Sequence, residues 1–190
     1  FRVVIVHGGG PFIQKSLEDA GIESEFIDGH RKTTTEALEY VEMALKGRVN
    51  SDLVGRLNRF GVRAVGLSGK DGRTVTARKR EHYRVVGEKR VLTDLGQVGD
   101  VKTVDTHLLH LLIRNHYLPV LSCTASDESG AGYNINADMF AGNIAGALKA
   151  DQFVVLTDVD GLMEDKDDPS TLIRELTLAD LPGLESQATI

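Results

Sequence analysis

Short apolar runs that are not interrupted by polar residues constrain the fold of this chain more than any other feature. Continuous hydrophobicity of this kind is typical of strands that are covered on both faces, as in a parallel sheet. Helical patterns separate the runs, and alternation of strands with helices predicts a layered α/β domain. The runs are Val3–Val6, Arg63–Leu67, Tyr117–Leu121 and Phe153–Leu156.

The helical patterns carry their own start and stop signals. Residues 35–46 form the clearest pattern, with Thr34 or Thr35 as the predicted cap and Gly47 as the predicted end. Two further patterns lie at 105–114 and 138–149.

Composition limits the class of protein. A chain of 190 residues with 41% hydrophobic residues can bury a core as one large domain or as two small lobes. A net charge of -6 argues against a general nucleic-acid surface. The single cysteine, Cys123, cannot form an internal disulfide, and no apolar run approaches the roughly 20 residues that span a bilayer. We expect a cytosolic protein with neither nucleic acid nor membrane as a partner.

The stretch 69–99 breaks the alternation with short β-like pieces and basic residues, and it is predicted to be a β-hairpin excursion. Its basic residues are either a solvated face or an anion-attracting rim. A cluster of polar residues and glycines at 127–132 marks a soft boundary between two lobes, 1–126 and 127–190. The chain starts at Phe1 rather than at methionine, and we expect it to be truncated at both ends.

Three consecutive glycines, Gly8, Gly9 and Gly10, follow the first apolar run, and Pro11 can open a helix directly after them. Backbone N–H groups at a helix N-terminus favour anions, so the stretch predicts a phosphate site. A tight turn is the alternative interpretation. The sequence is not a Walker A loop, because no Gly-Lys-Ser/Thr follows.

Three other stretches carry polar groups suited to ligands. Arg31 lies in a loop before a helix and suits bidentate carboxylate recognition, although a surface arginine is an equal alternative. Asn134 and Asn136 face the same way in an extended piece, and Asp138 lies at or near the cap of the following helix.

The third stretch begins with Thr157 and Asp158, which follow an apolar run at the sheet end where open α/β sheets bind ligands. A turn at Asp160 and Gly161 is expected under either interpretation. We assign His30 no role.

Taken in order and spacing, the motifs resemble those of the acetylglutamate kinases, which are members of the amino acid kinase family. The resemblance covers about residues 3–181, and it implies a three-layer α/β/α sandwich with a mainly parallel central sheet. It also implies transfer of the γ-phosphoryl group of ATP to the side-chain carboxylate of N-acetyl-L-glutamate, a step of arginine biosynthesis in the cytoplasm. The motifs are HGGGP, GHR, the VN of Val49-Asn50, LSGKDG, YNINAD and LTDVDGL.

The resemblance also assigns roles to individual residues. Lobe 1–126 binds the amino acid, and 127–190 begins the nucleotide-binding lobe. ATP is used with Mg²⁺, which is held mainly by the nucleotide, and no residue is assigned as a metal ligand. We expect a homodimer or a hexamer. The residues implied are Gly8 and Asp138 for catalysis, Gly9, Gly10, Arg31, Asn134 and Asn136 for the acceptor, and Thr157, Asp158 and Gly161 for the nucleotide.

Two alternatives remain open at this point. The family's two catalytic lysines fall outside residues 1–190, so a non-catalytic amino-acid-sensing domain is one alternative. Residues 122–126 differ from the more apolar stretch of the family, so a kinase for another carboxylate, such as carrier-bound aminoadipate or aspartate, is the second. A dinucleotide-binding fold is rejected because no Gly-x-Gly-x-x-Gly follows a strand.

Overall fold

The structure, a computed structural model, describes residues 1–87, 89–165, 168–177 and 179–180. Its strands are β1 (Ile5–His7), β2 (Glu25–Ile27), β3 (His30–Lys32), β4 (Ala64–Ser68), β5 (Val75–Lys79), β6 (His82–Val86), β7 (Lys89–Thr93), β8 (Val98–Val104), β9 (Leu118–Ser122), β10 (Thr124–Ser126) and β11 (Gly132–Ile135). Its α-helices are α1 (Gly10–Asp19), α2 (Thr35–Glu42), α3 (Ser51–Arg59), α4 (His107–Arg114) and α5 (Ala137–Leu148). A π-helical segment spans Met43–Asn50, and short 3-10 turns lie at Asp71–Arg73 and Pro169–Thr171.

Three strands form a parallel sheet in the order β1-β9-β4. Consecutive residues of β9 are buried, namely Val120, Leu121 and Ser122. Because neighbouring side chains of a strand point to opposite faces, both faces of β9 are covered. The π-helical segment, α3 and α4 pack against this sheet, and α5 packs against β1. The first three apolar runs therefore form the parallel strands that their pattern predicts.

A second sheet closes on itself in the order β10-β11-β8-β5. Its antiparallel pairs are β10 with β11 and β5 with β8, and the latter is shifted in register between Thr76 and Ala77. Between β5 and β8 the chain forms the antiparallel hairpin β6–β7, and β2 pairs with β3 in a second hairpin.

The helix that begins after Thr34 corrects one prediction. Thr34 caps it as expected, accepting a hydrogen bond from the Ala37 N–H at 3.0 Å. Gly47 does not end it, because helical structure continues through the π-helical segment into α3. A mid-helix glycine costs about 1 kcal/mol, and burial of Leu45 and Asn50 on either side of the exposed Gly47 holds the helix together.

The described residues group into two compact units, Phe1–Phe153 and the part that begins at Val154. In the second unit the backbone is mostly irregular, with a bridge between Met163 and Leu172. The predicted strand at 153–156 is wrong for this structure, since these residues form no strand and their side chains are exposed. The physical reason is that no described strand pairs with them. The division into an amino-acid-binding and a nucleotide-binding lobe stays a prediction.

Candidate active site around the glycine loop

The glycine loop, defined here as Gly8–Gly10, connects β1 to α1. Gly9 is the N-cap of α1, and Pro11 lies in its first turn, as the sequence predicts. The Gly9 carbonyl accepts the helical bond from Ile13 N–H at 2.9 Å. Among the described residues no acceptor faces the backbone N–H groups of the three glycines. These donors remain available to an anion at the positive end of the helix dipole.

Packing explains two of the three glycines in part. A Cβ on Gly8 would lie 3.2 Å from the Ala137 Cβ, and a Cβ on Gly9 would lie 3.0 Å from Leu45 and 3.2 Å from Val49. A Cβ on Gly10 would meet nothing within 4 Å. Neighbouring side chains therefore favour glycine at the first two positions, whereas Gly10 faces open space.

The loop meets the first turn of α5, because Gly8 lies against Ala137. Asn136 caps this helix, and its side-chain oxygen accepts a hydrogen bond from the Met139 N–H at 3.0 Å. The sequence predicts Asp138 at or near the cap, and the structure places it near the cap rather than at the cap itself. Asp138 lies inside the first turn, where its exposed carboxylate is favoured by the helix dipole.

Arg31 lies on β3 rather than in the predicted loop, because His30–Lys32 pairs with β2, and its side chain is held by several contacts. Its guanidinium donates to the Gln14 Oε1 of α1 at 2.8 Å and to the Ser24 hydroxyl, and it stacks over the Phe26 ring at 4.4 Å from the centroid. Partial burial lowers the pKa of Arg31 from its ordinary value. The alternative of a freely solvated arginine does not fit these contacts. Because Gln14 lies one helical turn after Gly10, the guanidinium is tied to the helix that the glycine loop opens.

The hairpin that carries Arg31 is anchored next to it. Thr33 is fully buried, its N–H donates to the Leu95 carbonyl at 3.0 Å, and its carbonyl accepts from Gln97 N–H at 2.6 Å. Gly96 between these two residues has a φ of 70°, and a Cβ there would overlap the Thr33 carbonyl. Glycine is required at this crossing, which fixes the end of β3.

Asn134 lies on β11, where burial alternates so that Tyr133 and Ile135 face the core and Asn134 lies on the other face. Its backbone N–H donates to the Gln97 carbonyl at 2.9 Å. Within the described ranges its side-chain amide has no hydrogen-bond partner. The structure brings the first turn of α5, which includes Asp138, next to the glycine loop through Ala137, and it records no direct contact of Arg31 or Asn134 with that loop.

The residues predicted to contact the nucleotide lie in the second compact unit. Thr157 and Asp158 are exposed, with the threonine hydroxyl 3.4 Å from the aspartate Oδ1. Gly161 has a φ of 146°, and a Cβ there would lie 3.0 Å from Leu172. Their role in nucleotide binding stays a prediction.

Sequence reasoning missed the polar residues beneath the loop. The His7 ring is hydrogen-bonded to the Gly8 carbonyl at 2.8 Å and to the Asn50 side-chain nitrogen at 2.9 Å. Burial, and to a lesser degree the charge of Lys46, lowers the pKa of His7, against the opposing effect of its bond to Gly8. The only signal in the sequence is the polar Asn50 of the VN motif, and its position along the chain does not indicate the contact with His7.

Asp71, of the LSGKDG motif, organises the turn after β4. Its Oδ2 accepts from the Ser68 N–H at 2.6 Å, from the Ser68 hydroxyl at 2.8 Å and from Lys46 Nζ at 3.1 Å. Burial opposes ionisation, but these hydrogen bonds outweigh it and lower the pKa of Asp71. Lys70 pairs instead with Glu42 of α2. The motif is thus explained by the structure of this turn.

Across the described ranges no group of three histidine, cysteine or acidic side chains could hold a metal ion. Burial raises the pKa of the Cys123 thiol to about 12, and the charge of Asp138 adds to this effect. The thiol is therefore not a nucleophile at neutral pH. No helix in the described part of the chain is long and apolar enough to cross a membrane.

Comparison with known proteins shows which proteins this chain is similar to. The sequence model described as the amino acid kinase family matches residues 1–189. Acetylglutamate kinase of Methanocaldococcus jannaschii is 49% identical over 179 residues, which are 94% of this chain and 60% of that protein. Acetylglutamate kinase of Archaeoglobus fulgidus is 46% identical over 189 residues, which are 100% of this chain and 65% of that protein. The chain thus spans about three fifths of the length of these curated relatives.

Solved structures share the fold. The crystal structure of smu.665 from Streptococcus mutans UA159 matches with a TM-score of 0.74 at 30% identity, over 86% of this chain and 63% of that one. N-acetylglutamate synthase of Neisseria gonorrhoeae, solved with coenzyme A and N-acetyl-glutamate, matches with a TM-score of 0.76 at 23% identity, over 100% of this chain and 41% of that one. The predicted α/β fold with a parallel sheet and the resemblance to acetylglutamate kinases are confirmed, and the chain belongs to the amino acid kinase family.

Proposed function

We propose that the protein transfers the γ-phosphoryl group of ATP to the side-chain carboxylate of N-acetyl-L-glutamate, giving an acyl phosphate for arginine biosynthesis. The observation that carries the proposal is the meeting of the unpartnered glycine-loop amides with the first turn of α5, where Asp138 lies. The proposal is supported by the high identity to proteins named acetylglutamate kinase.

The glycine loop supplies the anion-binding part of this proposal. In the transition state of phosphoryl transfer, negative charge is spread over the oxygens of the transferring group. The N–H groups of Gly8, Gly9 and Gly10 are fixed donors at a helix N-terminus, so they stabilise that charge without reorganisation. The open space at Gly10 leaves room for close approach of a ligand.

Asp138 has a different task. A carboxylate beside an anion site repels the ligand unless a cation lies between them. Asp138 therefore orients cationic groups around the phosphoryl group, and the resemblance places two such lysines outside residues 1–190. We infer that Mg²⁺ is held mainly by the nucleotide phosphates, where it neutralises charge and keeps most of its water ligands.

The acceptor is held by groups that suit its chemistry. Arg31 pairs with the α-carboxylate, since its guanidinium is already fixed by Gln14 and Ser24 with donors to spare. The Asn134 amide, without a partner in the described residues, and the Asn136 Nδ2 donate to the acyl amino acid. Thr157, Asp158 and Gly161 contact the nucleotide. We further propose that the protein is cytoplasmic and forms a homodimer or a hexamer. Light scattering of the purified protein would test the oligomeric state.

A coupled assay of the full-length protein with ATP, Mg²⁺ and a panel of acids tests the function. We expect ADP release that depends on N-acetyl-L-glutamate and exceeds that with aspartate or carrier-bound aminoadipate. ADP release with one of the other acids alone would reassign the acceptor. Binding of acetylglutamate without ADP release would instead support a non-catalytic sensing domain.

A further inference from the structure

His7, the last residue of β1, is hydrogen-bonded through both ring nitrogens. Nδ1 lies 2.8 Å from the carbonyl oxygen of Gly8, and Nε2 lies 2.9 Å from the side-chain nitrogen of Asn50. The ring thus connects the glycine loop to the π-helical segment, whose last residue is Asn50.

The partners determine which nitrogen of His7 carries the proton. The Asn50 side-chain nitrogen also donates to the Val120 carbonyl at 3.0 Å, and a carbonyl can only accept, so this atom is the amide nitrogen rather than the oxygen. Nε2 must therefore accept from Asn50. The Gly8 carbonyl is likewise only an acceptor, so Nδ1 carries the hydrogen and the ring is neutral.

Asn50 is itself held rigidly by the sheet. It is buried to 2% exposure, and a Cβ on Gly66 of β4 would overlap its side-chain oxygen. One helical turn earlier, Lys46 donates to the Gly66 carbonyl at 2.9 Å. The π-helical segment thereby contacts β4 through Lys46, β9 through Val120 and β1 through His7. Such widened helical segments are frequent at functional sites.

The hydrogen bond from His7 orients both the Gly8 carbonyl and the Gly9 N–H that follows it. The peptide between Gly8 and Gly9 is planar and trans, so its C=O and N–H point in opposite directions. Holding the Gly8 carbonyl toward His7 therefore directs the Gly9 N–H away from His7. No described acceptor receives this N–H.

We propose that His7 is a positioning residue, oriented by Asn50, that aims the Gly9 N–H at the anion bound by the glycine loop. The inference rests on the proposed function where it concerns turnover, and it concerns residues outside those assigned to ligand contact. A neutral ring is essential to it, because a protonated Nε2 would face the Asn50 donor.

Two substitutions of His7 separate positioning from packing. In His7→Asn the new amide nitrogen is bonded to Cγ, as Nδ1 is, so it can still donate to the Gly8 carbonyl. In His7→Gln the polar atoms lie farther out, so the side chain can accept from Asn50 but cannot donate to Gly8. His7→Asn leaves the Asn50 donor unpaired and is expected to lower the melting temperature more than His7→Gln.

Turnover of the full-length protein should show the opposite order. We expect His7→Asn to keep kcat within about threefold of wild type and His7→Gln to lower kcat roughly tenfold to a hundredfold, with the KM for N-acetyl-L-glutamate little changed. A purely structural His7 would make kcat follow the folded fraction in both variants. Equal kcat values, or a greater loss in His7→Asn, would overturn the inference.

A second readout is independent of the reaction. In ¹H–¹⁵N spectra of the full-length protein without substrates, the Gly9 amide signal should move in His7→Gln and stay near its wild-type position in His7→Asn. A Gly9 signal unchanged in His7→Gln would overturn the inference even if kcat fell. Should the wild-type protein fail to phosphorylate any acid, the proposed function fails, and this spectrum alone decides the role of His7.

Discussion

Two segments of this chain share one pattern and differ in structure. Residues 3–10 and 153–161 each combine an apolar, β-branched run with polar residues and glycine. The first run forms β1, pairs with β9 and leads into a loop packed against α5. The second forms no strand, and Leu156 is 95% exposed. An apolar run therefore indicates the capacity to be a buried strand, and a hydrogen-bonded neighbour decides whether the strand forms.

The largest effect is expected at the site built on the first segment. Asp138→Asn removes a charge while Asn136 continues to cap α5, so stability should change little. If Asp138 orients cations around the phosphoryl group, kcat should fall on the order of a hundredfold. Steady-state kinetics of the full-length protein, with a melting curve, is the measurement.

The same substitution in the second segment is the control. Asp160→Asn lies at the expected turn and outside the residues assigned to ligands, so kcat should stay near that of wild type. A kcat near wild type in Asp138→Asn would remove Asp138 from the catalytic assignment.

A smaller effect is expected at Arg31, the residue proposed to bind the α-carboxylate of the acceptor. Arg31→Ala should weaken N-acetyl-L-glutamate binding roughly tenfold to a hundredfold and leave ATP binding unchanged, because a charge-assisted pair is lost. Calorimetry with each ligand separately measures both affinities. Arg63→Ala is a matched control, since Arg63 also stacks on an aromatic ring, 4.0 Å from the Tyr117 centroid. Unchanged acceptor binding in Arg31→Ala would exclude it from the site.

The free energy of unfolding of two variants tests the comparison between the buried and the exposed apolar runs. Val120→Ala, at a fully buried position of β9, should lower the free energy of unfolding by about 2 kcal/mol. Val154→Ala, at a side chain that is 70% exposed, should change it by less than about 0.5 kcal/mol. Urea unfolding of the 190-residue chain gives both values. A comparable loss in Val154→Ala would show that the second run is buried and would break the comparison.

The smallest effect concerns pH. Burial lowers the pKa of His7 below its ordinary value of 6.5. The unfolded chain therefore takes up a proton at this residue as the pH falls below 6.5, while the folded chain does not. The neutral His7 ring therefore contributes to stability above pH 6.5. This contribution is lost as the pH falls from 6.5 to the lowered pKa of the folded protein. Urea midpoints from pH 7.5 to 5 should fall less steeply in His7→Asn, and an unchanged slope would contradict the burial of a neutral ring.

Local rules explain which features could be predicted from the sequence. The apolar character of the parallel strands, the Thr34 cap and the start of α1 next to Pro11 depend on residues that are adjacent in the sequence, and these features were predictable. The helix that continues through Gly47 was not, since its stability comes from distant packing of Leu45 and Asn50.

The candidate site could likewise be predicted from the sequence only in part. A glycine-rich loop before a helix was recognisable because its residues are contiguous. The cap is provided by Asn136, two residues before Asp138, and patterns fix a helix boundary only to within one or two residues. The contact of His7 with Asn50 joins residues that are far apart in the chain, and no spacing rule indicates it.

The central claim is that the glycine-loop amides contact the transferring phosphoryl group. Gly10→Ala tests it most directly, because a Cβ there meets nothing within 4 Å, whereas one on Gly9 would press on Leu45 and Val49. Gly55→Ala, at an equally open position inside α3, is the control. We expect Gly10→Ala to lower kcat per folded molecule by roughly tenfold or more with an unchanged melting temperature, and Gly55→Ala to keep kcat. Full kcat in Gly10→Ala would contradict the claim.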